Sequence, residues 1–184
     1  FFDFALANAR RVHCIYYKVG AVLVRDGTAV ASGYNGPAKG DVHCDEEVIG
    51  CARKIDGQLI KGGGKCRGSH AEINAISNAA LLGVSIKGCD LYVTHRPCGS
   101  CAKQIVNAGI RKVYYLYDYD GDEFVYEYLG RLGVVLIKYD LEKEITILPD
   151  FMNPQKRQFC TEKPIHKTTT KKVVKKKVAK EPSN

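Results

Sequence analysis

Phe2, Leu6, Ala9 and Val12 recur at helical steps, so the chain reads as opening on an amphipathic helix. Residues 19–25 and 28–34 are apolar, β-rich runs joined by Asp26-Gly27, a dipeptide suited to a tight hairpin turn. From 35 to 68 the periodicity vanishes into glycines, polar residues and cysteines. So long an irregular stretch is unusual inside a folded domain, and its cysteines suggest that a metal ties it down. Order then returns as a helix over 71–82, a strand over 90–94, a helix from about 98 to 108, a strand over 112–117, a helix over 123–132 and a strand over 134–138. Gly83, Gly109 and Gly133 follow the three helices as stop signals. The order α-ββ-α-β-α-β-α-β predicts one α/β domain, and right-handed crossovers make its later strands largely parallel. Beyond about residue 155 apolar residues thin out and lysines dominate, which predicts a folded domain over 1–154 and a disordered tail over 155–184.

Composition narrows the class. With 184 residues the chain can bury a core without disulfide staples. It holds no run of about 18 apolar residues, so no membrane helix is expected, and no secretory leader pattern opens it. Phe1 already lies in helical periodicity, so a few residues are expected to precede it. The net charge is +8, and residues 161–184, with eight Lys and two Glu, carry six of those charges. The remainder is nearly balanced and gives no argument for a nucleic-acid surface on the folded part. The tail itself is suited either to phosphates or a localisation receptor, or simply to solubility. No aromatic residue interleaves its lysines to stack on bases. Eight cysteines, at 14, 44, 51, 66, 89, 98, 101 and 160, favour reduced, metal-ligating thiols and a cytoplasmic setting.

The chemistry concentrates in two short motifs. His70-Ala71-Glu72 opens one predicted helix, and Pro97-Cys98-Gly99-Ser100-Cys101 opens the next. Cys98 and Cys101, three apart, are expected on one helical face. Two thiolates and an imidazole make three ligands, the number a catalytic zinc uses while keeping its fourth position for water. Helix N-termini favour the ionised thiols. Glu72 stands two residues from the histidine, close to the metal without binding it, and can carry protons. His-x-Glu alone occurs by chance, and Cys-x-x-Cys alone also fits a redox pair or half a zinc ribbon. Together, with a proline before the first cysteine, they resemble the signature of zinc nucleobase deaminases.

The resemblance extends further. Val19-Gly20-Ala21-Val22-Leu23-Val24, Gly33-Tyr34-Asn35-Gly36, the run His70 to Ile76, and Leu91-Tyr92-Val93-Thr94 with the Cys98 motif together resemble the deoxycytidylate (dCMP) deaminase family over about residues 4–140. That resemblance implies a three-layer α/β/α cytidine-deaminase-like fold with a mixed five-stranded sheet. It also implies zinc-dependent hydrolysis of dCMP to dUMP and ammonia, supplying dUMP for thymidylate synthesis. A homo-oligomer, usually a hexamer, with dCTP and dTTP as effectors and Mg2+ alongside them, is implied too. By position, Asn35 would contact the sugar, the Ala71 backbone would accept from the exocyclic amine, and Arg11 would meet the phosphate. Many family members place an arginine where this chain has Tyr16, so Lys18, Lys39 or Arg96 would have to substitute. Some members hold a second, structural zinc. Cys14, Cys44, Cys51 and Cys66 make a complete four-thiol set for it, with His43 able to replace one sulfur. Cys89 and Cys160 read as a core and a tail residue, His13, His95 and His166 as surface or loop residues, and Gly62-Gly63-Gly64 as a flexible turn. Deamination of another cytosine nucleotide, or of cytosine within a nucleic-acid strand anchored by the tail, is the alternative.

Overall fold

Asp26 and Gly27 both adopt positive φ, 49° and 74°, which folds strand β1 (Gly20–Arg25) directly back onto β2 (Thr28–Tyr34). This hairpin starts the sheet in the computed structural model, which describes residues 1–46, 50–56, 58–60, 66–118, 121–140 and 146–147. The other main elements follow in chain order. Helix α1 (Phe2–Arg10) precedes the hairpin; α2 (Ala71–Leu81), β7 (Asp90–His95), α3 (Gly99–Asn107), β8 (Lys112–Tyr117), α4 (Phe124–Arg131) and β9 (Val135–Lys138) come after it. Between them lie four two-residue strands, β3 (Gly36–Pro37), β4 (Lys54–Ile55), β5 (Gln58–Leu59) and β6 (Gly68–Ser69), and β10 (Thr146–Ile147) ends the described chain. β3 pairs with β6 and β4 with β5, so the region predicted to be irregular is clipped by two short ladders.

The main sheet runs β10-β9-β8-β7-β1-β2. β7, β8 and β9 are parallel, whereas β1 and β2 are antiparallel to their neighbours. The five predicted strands form it as expected, and β10 adds two residues at the edge. Alternation along β1 sorts the layers. Val22 and Val24 pack with Ala5 of α1 on one face, while Ala21 and Leu23 join the large core beneath α2, α3 and α4 on the other. Helices thus cover both faces of the sheet, the three-layer arrangement. The tail at 155–184, with Cys160 and His166, and Gly62-Gly63-Gly64 lie outside the described residues.

Two glycines let helices touch the sheet. A Cβ on Gly20 would stand 2.0 Å from the Ala5 carbonyl oxygen of α1, and one on Gly33 would stand 2.3 Å from the Ala75 nitrogen of α2. α2 is also laced to the edge strand. Asn74 Nδ2 donates to the Tyr34 carbonyl at 2.7 Å and Asn78 Nδ2 to the Ser32 carbonyl at 2.8 Å. Four residues of helix rise about 6 Å and two residues of strand about 6.7 Å, so the two amides match the two carbonyls. The result fixes α2 lengthwise on β2 and occupies carbonyls that another strand would otherwise pair with.

Candidate active site

α2 and α3 start beside each other, and the residue before each does unusual work. His70 (φ −77°, ψ 156°) and Cys98 (φ −78°, ψ 171°) are the N-caps, both extended, and neither makes a side-chain cap bond. Their side chains turn into a common space instead. His70 Nδ1 lies 3.4 Å from the Cys98 sulfur and 3.4 Å from the Cys101 sulfur. Zinc bonds of ~2.3 Å to sulfur and ~2.0–2.1 Å to nitrogen at tetrahedral angles place such donors about 3.5 Å apart, so the triad fits the ion. Among the described residues, no other group brings three ligand atoms within 4.8 Å of one another. One expectation changes: Cys98 is not on the helical face. It precedes the helix, and its extended backbone, rather than an i, i+3 register, swings its sulfur toward Cys101.

The electrostatics call for a cation. Accepting a hydrogen bond from Cys101, and having His70 beside it, pulls the Cys98 thiol down to about 4 despite its partial burial. Cys101 shifts upward because it donates that bond, is fully buried and faces Glu72. Glu72, in the first turn of α2 and 4% exposed, is raised by burial and lies against the Cys101 sulfur. His70 is raised chiefly by its bond to Cys98. Two thiols and a carboxyl packed around one imidazole cannot all ionise unaided. A divalent ion held there would supply the missing positive charge and let both sulfurs become thiolates.

The triad opens onto a cavity of about 730 Å³, open solvent included, with Tyr17, Asn35, Ala71, Glu72 and His95 in its wall. Asn35 lines it, but its amide also braces the loop before β1. Oδ1 accepts from Val19 N at 2.7 Å and Nδ2 donates to the Tyr17 carbonyl at 3.0 Å. Ala71 lines it too, yet its carbonyl is turned into the sheet, 2.5 Å from where a Gly33 Cβ would be. The expected acceptor is therefore packed away. What the first helical residue has to offer is its N–H, which has no partner within the helix. Arg11 is absent from this wall. It stacks over the Tyr34 ring at 5.1 Å and lines a neighbouring groove that shares Asn35 and Gly36 with the cavity.

Arg96 does reach the cavity, but as a brace. It is 3% exposed and donates to the Gly121 carbonyl at 2.7 Å and the Asp122 carbonyl at 3.0 Å, with Glu123 at 3.2 Å. Lys18 and Lys39 are exposed, and Lys39 lies in the Arg11 groove. Two residues were missed. Arg53 lines the cavity close enough to His70 to affect its titration. His95, expected as a surface or loop residue, is half-buried at the end of β7, and burial lowers its pKa. Its place two residues before Pro97 of the cysteine motif is the signal the sequence offers for it; nothing local marks Arg53.

Cys14, Cys44 and Cys66 also line the cavity. Cys14, Cys51 and Cys66 all act electrostatically on Cys44, whose thiol is raised first by burial. The four sulfurs are neighbours without closing to the spacing of the His70 triad. Tyr17 N already donates to the Cys14 sulfur at 3.5 Å. His43 stacks on His13 at 4.1 Å. Cys89 is fully buried in the core, as expected.

An N,S,S donor set with a buried carboxyl against it, at the mouth of one cavity in an α/β/α fold, defines a catalytic zinc site, three protein ligands with the fourth position left for water. The sequence profile of the cytidine and deoxycytidylate deaminase zinc-binding region matches residues 1–117. ComE operon protein 2 of Bacillus subtilis is 39% identical over 151 residues, spanning 82% of this chain and 74% of that one. Human deoxycytidylate deaminase is 36% identical over 127 residues, 67% of either chain. A crystal structure of dCMP deaminase from cyanophage S-TIM5 in complex with dCMP and dUMP superposes with a TM-score of 0.61 at 33% identity, covering 74% of this chain and 91% of that one. The chain belongs to the cytidine and deoxycytidylate deaminase family. No helix among the described residues is long and apolar enough to cross a membrane.

Proposed function

We propose that the protein hydrolyses dCMP to dUMP and ammonia. The observation that carries this is the His70–Cys98–Cys101 triad with Glu72 buried against it, in a cavity shared with Asn35. Its similarity to deoxycytidylate deaminases, one of them solved with dCMP and dUMP, supports the substrate and leaves strand-bound cytosine disfavoured.

His70, Cys98 and Cys101 would hold the ion. Zinc in such a site lowers the pKa of a bound water to about 7 and so supplies a nucleophile at neutral pH. The chain's own part is proton traffic. As the water oxygen bonds to C4 of the base, Glu72 takes one of its protons and gives it to N3. Glu72 then takes the remaining hydroxyl proton and gives it to the exocyclic nitrogen. The C4–N bond breaks, ammonia leaves and C4 keeps a carbonyl. Both transfers suit a carboxyl whose burial raises its pKa. Asn35 retains one N–H and one lone pair for the sugar hydroxyl. Arg53 in the cavity wall, and Arg11 from the adjoining groove, would meet the phosphate in place of the arginine absent at Tyr16.

The same reading includes a structural zinc on Cys14, Cys44, Cys51 and Cys66, which would draw the four neighbouring thiols together and anchor the 35–68 region. It includes a homo-oligomer, hexameric in the family, dCTP and dTTP with Mg2+ as effectors, and a cytoplasmic setting where dUMP feeds thymidylate synthesis. It also divides the chain into a deaminase domain over 1–154 and a tail over 155–184 that is dispensable for chemistry. The variant E72Q tests the core of it. Gln keeps the volume, so the protein should keep its zinc while kcat on dCMP falls by about 10²–10⁴. A fully active E72Q would remove Glu72 from the proton path.

A further inference from the structure

Both metal-ligating N-caps leave their helices without the usual side-chain cap, and α3 shows what takes its place. Cys98 occupies the N-cap position, where Ser, Thr, Asp or Asn would ordinarily accept from the first turn. The first N–H of the helix, on Gly99, donates to Asp122 Oδ2 at 2.9 Å, a carboxylate 23 residues further along the chain. Asp122 reaches it through a left-handed turn, with φ of 85° at Gly121 and 56° at Asp122 itself. Positive φ at a non-glycine residue is uncommon, and when the surroundings enforce it the conformation commonly serves a site.

Here the surroundings do enforce it. Arg96, buried and two residues before Cys98, grips the carbonyls of both Gly121 and Asp122 and pairs with Glu123. Its guanidinium also lies 4.9 Å from the centre of the Tyr126 ring. The far side of the turn is fixed by Val125 N donating to the Asp122 carbonyl at 3.0 Å, which starts α4. The Phe124 ring closes over Gly99 so tightly that a Cβ there would stand 2.5 Å from it. One segment, 121–124, therefore grips the helix end that carries two sulfurs of the triad.

We infer that Asp122 is a positioning residue for the metal centre: its carboxylate holds the first N–H of α3 from outside the helix, so that the helix start stays ordered while Cys98 faces the ion. The inference rests on Cys98 being a ligand, as proposed above. Asp122 touches neither substrate nor reacting atoms, so its effect falls on how long the ion is held and on kcat, with KM unchanged.

Two replacements separate the cap from the backbone. Asp122→Gly keeps the left-handed turn at no steric cost but removes the acceptor. Asp122→Asn keeps an acceptor and tolerates positive φ. The probe is zinc release to a chelator from the loaded full-length protein, read beside kcat, KM and the amide-exchange rate of Gly99. A typical cap changes an equilibrium by about fivefold. Asp122→Gly should release zinc about that much faster, with kcat lowered and KM within twofold, and Asp122→Asn should restore wild-type release. Release from Asp122→Gly at the wild-type rate, or from Asp122→Asn as fast as from Asp122→Gly, would overturn the proposal. Should the glycine variant fail to fold, the wild-type protein still decides: slow exchange at Gly99 supports the cap and unprotected exchange overturns it. Failure of the underlying reading looks different, since Cys98→Ser would then leave zinc content unchanged.

Discussion

Gly33→Ala puts the coupling between fold and chemistry to a severe test. An added Cβ would sit 2.3 Å from Ala75 N, 2.5 Å from the Ala71 oxygen and 2.8 Å from the Asn74 carbonyl carbon, where ordinary contact begins at 3.4 Å. All three neighbours are backbone, so no side chain can rotate away. α2 must retreat by about 1 Å, and such overpacking costs roughly 1–3 kcal/mol of stability. The retreat reaches the site because His70 caps this helix and Glu72 lies in its first turn. Misplacing a catalytic group by about 1 Å costs about 10²-fold in rate. The assay is kcat/KM on dCMP for protein loaded with zinc, together with zinc content and melting temperature. The expected result is a fall of about 100-fold with weaker zinc retention in a protein that still folds. Gly36→Ala in the same Gly-Tyr-Asn-Gly stretch serves as the control. Its Cβ would meet nothing nearer than Tyr34 at 4.0 Å, so zinc retention should not change. A Gly33→Ala protein with wild-type activity and zinc retention would refute the claim that this close approach sets the site.

Other consequences follow from the same structure. Removing zinc with a chelator should abolish activity, and one equivalent of zinc per chain returned to the triad should restore it; the purified protein should hold about two zinc per chain, and a ratio near one would remove the Cys14–Cys44–Cys51–Cys66 site. Arg53→Gln should raise KM for dCMP while leaving KM for deoxycytidine unchanged; an equal rise for both would take Arg53 away from the phosphate. Asp118 is partly desolvated, but its bond to Lys138 outweighs that and leaves its carboxyl below the usual range. A depressed pKa stabilises the fold above about pH 4 and loses that contribution as pH falls through the folded value. The melting-temperature gap between wild type and Asp118→Asn should therefore close on acidification below pH 4, and a gap independent of pH would contradict the pairing. Ending the chain after residue 154 should leave kcat/KM on dCMP within twofold.

The parts of this enzyme that could be read from sequence are those where chemistry or backbone geometry restricts the residue type. Asp26-Gly27 announced the hairpin because both positions need positive φ. His70, Glu72, Cys98 and Cys101 announced the site because zinc needs those donors at the starts of two helices. The rest depended on long-range contacts. Arg96 reads in the sequence as a substitute for the arginine absent at Tyr16 because its carbonyl partners lie 25 and 26 residues away. The Ala71 carbonyl looked available because nothing in its neighbourhood along the chain reveals Gly33 packed beneath it. The pairing of Gly36–Pro37 with Gly68–Ser69 is too short for any period to show. Cys98 was assigned to the helix because a boundary one residue off is invisible to spacing, although the difference decides where its sulfur points.

The most direct measurement is ammonia release from the zinc-loaded protein given dCMP, CMP, deoxycytidine, dCTP and a cytosine oligonucleotide in parallel. The structure and the family it belongs to predict turnover of dCMP well above the other four. Turnover confined to the oligonucleotide, or none with any of them from a protein whose zinc is in place, would contradict it.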